Sequence, residues 1–242
     1  MATLFISDLH LEAARPEIGE QFLDFLAGPA RDAEALYILG DLFEAWIGDD
    51  DPSEYYACVK QAIRELADSG VPVYFMHGNR DFMIGPRFAK DAGVTLLDDP
   101  HAVALYGEKV LLSHGDFLCT DDVEYQQVRA MTRNPEWQAM MMAKSVEERV
   151  AFAQQAREQS AARHESLKEE IADVNQDAVE ATIREHDCDV LLHGHTHRPA
   201  VHPFHVDDRP VHRIVLGDWY EQGSMVEWDH DGPRLEQLPR QR

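Results

Sequence analysis

The chain has 242 residues, room at about 150 per domain for one large domain or one domain carrying an insertion. Hydrophobic residues make up 44% and charged residues 28%, with 14 Gly and 12 Pro, which excludes collagen-like, coiled-coil and wholly disordered chains. The 45 acidic side chains against 22 basic ones leave a formal net charge of −23, a field that repels nucleic-acid phosphates and argues against a general nucleic-acid partner. Cys58, Cys119 and Cys188 are far apart with no Cys-x-x-Cys spacing, which fits a reducing cytoplasm. Met1 to His10 lacks the basic start and long apolar centre of a signal peptide, and no apolar run reaches about 18 residues.

In chain order, short β-rich runs with turn chemistry at their ends predict strands at Thr3 to Ile6, Ala35 to Leu39, Val71 to Phe75, Val110 to Leu112, Val190 to Leu192, Ile214 to Leu216 and Met225 to Trp228. Helical stretches, Ile18 to Leu26 and Tyr55 to Asp68, fall between the early ones, so the pattern is α/β. The later strands follow one another more closely, which predicts either a mixed, partly antiparallel sheet or two sheets packed together.

From Asn134 to Ala172 no strand signal occurs. Asn134 before Pro135 is an N-cap with proline at the first helical position. Ser145 with Glu148 has capping-box spacing and predicts a second, longer helix from about Val146 to Ala172. Residues 123–172 therefore form a helical insertion within a single domain spanning 1–242. Seven basic and eight acidic residues give it a net −1, so nearly all the acidity lies elsewhere. It also carries Trp137, Met140, Met141, Met142, Val146, Val150 and Phe152, more apolar bulk than a thin amphipathic seam needs. Two readings stand: a helical pair packed on the core, or a lid over an apolar ligand.

Five motifs sit where strands should end: Asp8-Leu9-His10, Gly40-Asp41, Gly78-Asn79-Arg80-Asp81, His114-Gly115-Asp116 and Gly194-His195-Thr196-His197. Ligands of α/β proteins bind at strand ends. Asp-x-His and His-x-His are expected to place two donors on one side of an extended segment, since side chains alternate with period two. Asp, Asn and His donors mix hard oxygen with borderline nitrogen, which suits Mn, Fe or Zn better than a thiolate site or an all-oxygen calcium cage. Seven donors for two ions, one shared, leave positions for water and a phosphate oxygen. His193 is expected to orient its neighbours rather than to be a ligand.

In this order the five motifs resemble those of the calcineurin-like metallophosphoesterases. The segments Ile38 to Asp51, His77 to Phe82, His114 to Asp122, Asp173 to Gln176 and His193 to Ala200 resemble the branch that cleaves UDP-2,3-diacylglucosamine into UMP and 2,3-diacylglucosamine 1-phosphate in lipid A biosynthesis. The resemblance covers nearly the whole chain. It implies mixed β-sheets sandwiched by helices, and two Mn2+ ions. Asp8, His10, Asp41 and His197 would hold one ion and Asp41, Asn79, His114 and His195 the other, with Asp41 bridging. It also implies a peripheral position on the cytoplasmic face of the inner membrane, with that membrane surface and the lipid-linked nucleotide as partners.

Arg80 occupies a place where many relatives in the wider superfamily carry histidine. An arginine stays charged and gives no proton, but it can clamp phosphate oxygens, so the expected substrate has a good leaving group. Asn79, Arg80, Asp122, Ser160 and His195 are the candidate substrate contacts. Ser160, His164 and Lys168 follow at i, i+4 and i+8 on one helix face. The family pattern there is Ser, then Asn four later, then Lys three after that. Ser160 matches, His164 replaces Asn, and Leu167 takes the Lys position, which makes His164 and Lys168 secondary candidates. The competing readings are a soluble nucleotide pyrophosphatase or phosphodiesterase, and a binding module on the same scaffold. A nuclease fits less well, given −23 and no basic stripe.

Overall fold

In the computed structural model, residues 1–164 and 173–240 are described. The first half alternates strictly: β1 (Thr3–Ile6), α1 (Pro16–Ala27), β2 (Ala35–Ile38), α2 (Glu54–Asp68), β3 (Val73–Met76), α3 (Pro86–Ala92) and β4 (Thr95–Leu97). Then come β5 (His101–Leu105) and β6 (Glu108–Ser113), three helices, α4 (Val123–Thr132), α5 (Pro135–Met142) and α6 (Val146–His164), and α7 (Gln176–His186). The chain closes with β7 (Val190–His193), β8 (Ala200–Val206), β9 (Arg209–Val215), β10 (Gly223–Asp229) and β11 (Gly232–Leu238).

Both alternatives raised by the crowded later strands hold, because there are two sheets and each is mixed. One has six strands in the order β11-β10-β1-β2-β3-β4, the other five in the order β5-β6-β7-β9-β8. In the first, β1 to β4 run parallel and β10 returns antiparallel to β1. In the second, β6, β7 and β9 are parallel, with β5 and β8 antiparallel at the edges.

Period two sorts the side chains into layers. On β1, Leu4 and Ile6 pack with residues of α1 and α2, while Phe5 faces the other way among Val110, Leu112, Val190 and Leu192 of the second sheet. On β6 and β7, Leu111 and Leu191 point outward to Val179 and Ile183 of α7. The result is helix, sheet, sheet, helix. Strands buried on both faces need apolar residues at successive positions, which is why they read as continuous hydrophobic runs.

The helices show their causes locally. α2 starts at Ser53, whose hydroxyl accepts from Tyr56 N at 3.3 Å, and buries Val59, Ile63 and Leu66 at helical spacing, each contributing about 1.5–3 kcal/mol. α5 begins where Asn134 Oδ1 accepts from Glu136 N and Trp137 N. α6 begins at the expected capping box: Ser145 N donates to Glu148 Oε2 at 2.9 Å and Glu148 N to Ser145 Oγ at 3.2 Å. The part of the expected helix between His164 and Ala172 lies outside the described residues.

Candidate metal centre

All five motifs emerge from C-terminal strand ends on the same edge of the two sheets. β1 delivers Asp8 and His10, β2 Asp41, β3 Asn79 and Arg80, β6 His114, and β7 His195 and His197. The extended geometry expected for Asp-x-His and His-x-His is not what the chain adopts. Asp8, His10, His195 and His197 all have positive φ, at 57°, 52°, 68° and 54°, and so does Asp41 at 52°. Two left-handed residues one apart tighten the segment into a turn, so the donors converge through kinks rather than through strand alternation. Backbone bonds hold these kinks in place: Asp8 N donates to Gly40 O at 3.1 Å, His10 N to Asp41 O at 3.0 Å, and Gly194 N to His114 O at 3.0 Å. Glycine is required at two crossings, since a Cβ on Gly78 would collide with Asp41 Oδ1 and one on Gly194 with Asp8 Oδ2.

The side chains meet in two groups around Asp41, which is 2% exposed. On one side, His10 Nε2 lies 3.2 Å from His197 Nε2 and 3.8 Å from Asp41 Oδ2, and His197 Nε2 lies 3.4 Å from Asp8 Oδ1. On the other, Asn79 Oδ1 sits 2.9 Å from His114 Nε2 and 2.8 Å from His195 Nδ1, and His114 Nε2 is 3.8 Å from Asp41 Oδ1. The two oxygens of Asp41 thus face different histidines. Donor atoms of Asp8, His10 and His197, and those of Asp8, Asp41 and His114, lie close enough together to share a cation.

The far sides of the rings show that this arrangement fits metal ions. His10 Nδ1 faces Glu44 Oε2 at 2.9 Å and His197 Nδ1 faces Asp218 Oδ2 at 3.5 Å. Protons held there leave two lone pairs opposed at 3.2 Å. His114 Nδ1 lies 3.0 Å from the Leu39 carbonyl, which again turns a lone pair, this time towards Asn79 Oδ1. Acceptors facing acceptors need positive charge between them. The surrounding carboxylates favour positive charge at this place: against burial, Asp41, Asp8, Asp116 and Asp99 hold the His114 pKa up at about 9, and a cation between the donors would answer the same field. His195, buried and beside His114, is pushed down to about 4. Burial pushes Asp8 up, but His197, His114 and His10 together outweigh it and keep the carboxyl well below its ordinary range.

Several supports were not singled out from the sequence. Asp81, the last residue of its motif, is fully buried and accepts from Gly78 N at 2.8 Å, Leu42 N at 2.8 Å and Asp41 N at 3.3 Å. It clamps the loops bearing Asp41 and Asn79, and burial together with the Asp41 charge raises it to about 7. Asp116, two residues after His114, pairs with Arg129 at 2.9 Å and accepts from the Tyr125 hydroxyl at 2.9 Å. Their places inside the motifs were the available signal. Glu44 lies in the segment Ile38 to Asp51 that carries the resemblance, whereas Arg149 and Arg157 belong to no motif and had none. His193 behaves as expected for a non-ligand, with Nδ1 at 2.8 Å from Gly194 O and Nε2 at 3.3 Å from Arg213.

Arg80 donates its backbone N–H to Asp41 Oδ1 at 2.8 Å, and its buried Nε has no hydrogen-bond partner among the described residues. Asp122 is the N-cap of α4, its Oδ1 accepting from Tyr125 N at 2.9 Å. Ser160 and His164 lie in the last turns of α6; Lys168 and Leu167 are outside the described residues. The packed-pair reading of the insertion accounts for Met141, 5% exposed, but Met140, Met142, Val150 and Phe152 remain 52%, 40%, 37% and 38% exposed. Trp137 bridges Phe82, beside the Asn79 loop, and Phe152 on α6, with ring centroids 6.0 and 5.7 Å away. Arg149 docks α6 by donating to Ile47 O at 2.6 Å and gripping both oxygens of Asp50.

Comparison with known proteins agrees with the motif reading. The family model for calcineurin-like phosphoesterases matches residues 1–199. The UDP-2,3-diacylglucosamine hydrolase of Stenotrophomonas maltophilia (strain K279a) is 53% identical, with all of both chains covered. That of Xanthomonas oryzae pv. oryzae (strain PXO99A) is 55% identical over 98% of this chain and 99% of its own. Among solved structures, an archaeal phosphodiesterase is 18% identical with a TM-score of 0.49, covering 98% of this chain and 100% of that one.

Proposed function

Because this chain belongs to the calcineurin-like phosphoesterases and, within them, to the family of the UDP-2,3-diacylglucosamine hydrolases, we propose that it hydrolyses the diphosphate of UDP-2,3-diacylglucosamine by water attack on the α-phosphorus. The products are UMP and 2,3-diacylglucosamine 1-phosphate. The observation that carries the reading at the level of chemistry is the bipartite donor set, with one Asp41 oxygen turned to His10 and the other to His114.

Asp8, His10, Asp41 and His197 would hold one divalent ion, and Asp41, Asn79, His114 and His195 the second. The mixed nitrogen and oxygen donors suit Mn2+. When bound, such a pair lowers the pKa of water towards about 7 and neutralises charge on the attacked phosphorus. The protein supplies the rest. Its left-handed turns fix the donors before the ions arrive, so little reorganisation remains at the moment of reaction. Arg80, with a buried Nε that no described residue satisfies, clamps phosphate oxygens and stabilises their developing charge. It gives no proton, which suits a leaving group already as good as a sugar 1-phosphate.

Asn79, Arg80, Asp122, Ser160 and His195 contact the substrate, with His164 and Lys168 as further head-group candidates. The insertion, 123–172, is a lid within the single domain. Its exposed Met140, Met142, Val150 and Phe152 receive acyl chains, each buried methylene contributing about 0.8 kcal/mol. The substrate is met peripherally, at the cytoplasmic face of the inner membrane, by a chain in which no helix among the described residues is long and apolar enough to cross a membrane.

Turnover of UDP-2,3-diacylglucosamine with Mn2+ in heavy-oxygen water tests this. The label is expected in UMP, with the lipid 1-phosphate unlabelled and activity lost in Asp41→Ala. Label in the lipid product overturns the site of attack. Hydrolysis of soluble nucleotide diphosphates with no turnover of the lipid substrate overturns the substrate.

A further inference from the structure

The insertion meets the metal centre through one unbroken chain of polar contacts, separate from the donors themselves. Arg157 projects from α6 and pairs through Nε with Glu44 Oε1 at 3.0 Å, while its Nη2 reaches Glu12 Oε2 at 3.3 Å. The second oxygen of Glu44 lies 2.9 Å from His10 Nδ1. Glu44 is 12% exposed and His10 only 3%, so the carboxylate is shielded and its direction matters. Its backbone is also anchored, with Glu44 N donating to Leu11 O at 3.1 Å. One carboxylate therefore spends one oxygen on the insertion and the other on a ring that the first group of donors contains.

From this geometry we infer that Glu44 and Arg157 are positioning residues for metal binding: Glu44 fixes the orientation and tautomer of His10, and Arg157 of the insertion fixes Glu44. The inference rests on the two-ion reading above. Glu44 stands at His10 Nδ1 as an ion-pair neighbour rather than an aligned hydrogen bond, and a proton kept on that side of the ring leaves Nε2 free to ligate, as carboxylate partners of metal-bound histidines do. A carboxylate beside a histidine can rotate, and a guanidinium on its other oxygen removes that freedom. Docking of α6 and occupancy of the His10 side of the centre become linked, so whatever moves the insertion also moves the ion.

Titration of the full-length, metal-stripped protein with Mn2+ alone, followed by calorimetry, tests this without substrate or turnover. Glu44→Gln keeps the shape but loses the charge, and weakens one of the two Mn2+ sites by about 10- to 100-fold. Arg157→Gln weakens the same site by about tenfold, within the same range, and Arg157→Lys recovers part of the loss. The double variant binds no worse than Glu44→Gln, because Arg157 acts through Glu44. Glu12→Gln removes an equal charge that does not touch His10, and leaves both sites as in the parent.

Parent-like binding in Glu44→Gln and Arg157→Gln overturns the inference while leaving the two-ion reading intact. Losses that multiply in the double variant overturn the order of action. A loss in Glu12→Gln as large as in Glu44→Gln reduces the effect to net charge and overturns it too. A parent that takes up no Mn2+ overturns this inference and the two-ion reading together.

Discussion

The rim of strand-end loops and the helical insertion solve opposite problems. On the rim, Asp8, His10, Asp41, His195 and His197 all stand in the left-handed region, a strain of about 1–3 kcal/mol each, and buried Asp81 and backbone bonds between neighbouring loops hold them there. The insertion carries almost no such constraint. Its first helix is tied to the rim through Tyr125, Arg129 and Arg133 and its last through Arg149 and Arg157, but several of its large apolar side chains stay open. On the proposed function, fixed donors for small ions require a backbone that cannot relax, whereas flexible acyl chains need a surface that can adapt, and methionine suits the second task.

Substitutions on the two sides should separate accordingly. The largest effect is expected on the rim: Asp41→Ala removes the residue facing both groups and lowers kcat/KM for the lipid substrate by about 10^3-fold or more, taking the loss of one transition-state donor as the floor. On the insertion, Arg149→Met leaves Ile47 O unpaired, while half-exposed Asp50 rehydrates. About 1–3 kcal/mol is lost, read as faster hydrogen exchange across 146–158 and a rise in KM larger than the fall in kcat.

The third prediction concerns pH and the rim. Burial keeps His193 neutral down to about 3, against 6.5 for the free group. Its folded pKa is depressed, so its contribution is complete above about 6.5 and is lost as pH falls from there towards about 3. The slope is about 1.4 kcal/mol per pH unit. Urea midpoints of the metal-free parent and of His193→Gln between pH 7 and 5 check this: the two slopes should differ by that amount, the contributions of His195 and Asp81 being common to both. The smallest effect belongs to an open residue of the insertion. Phe152→Ser changes stability by about 0.5 kcal/mol or less. It raises KM for the diacyl substrate by up to about tenfold, one or two methylenes' worth of burial, and leaves hydrolysis of soluble nucleotide diphosphates unchanged.

Much of this was legible in the chain. The strands that carry the donors announced themselves, because a strand buried on both faces must be apolar throughout, as in Leu4 to Ile6 and Val190 to Leu192. The starts of α5 and α6 were written in Asn134-Pro135 and in Ser145 with Glu148. β4, β5, β8 and β11 were missed: β4 has only three residues, and the mixed composition of the others, with Pro203, His205 and Glu236 among it, reflects edge positions with one face exposed. α4 fell inside the expected helical insertion but was not delimited as its own helix, because no residue of it is buried and no apolar stripe marks its ends; α3 and α7 were not singled out either.

The sequence alone determined the identities of the candidate donors and their order along the chain, since local residue chemistry and turn-forming glycine are visible one residue at a time. Tertiary structure decided how they converge. The left-handed turns at Asp8, His10, His195 and His197 are costly in isolation, and are held where neighbouring loops of each sheet bond to one another and His195 N reaches the Asp8 carboxylate across the sheets. It also decided which carboxylates serve as struts rather than as donors. Asp81, Asp116 and Glu44 differ from Asp8 and Asp41 in what surrounds them, not in kind, and those surroundings lie tens of residues away in the chain.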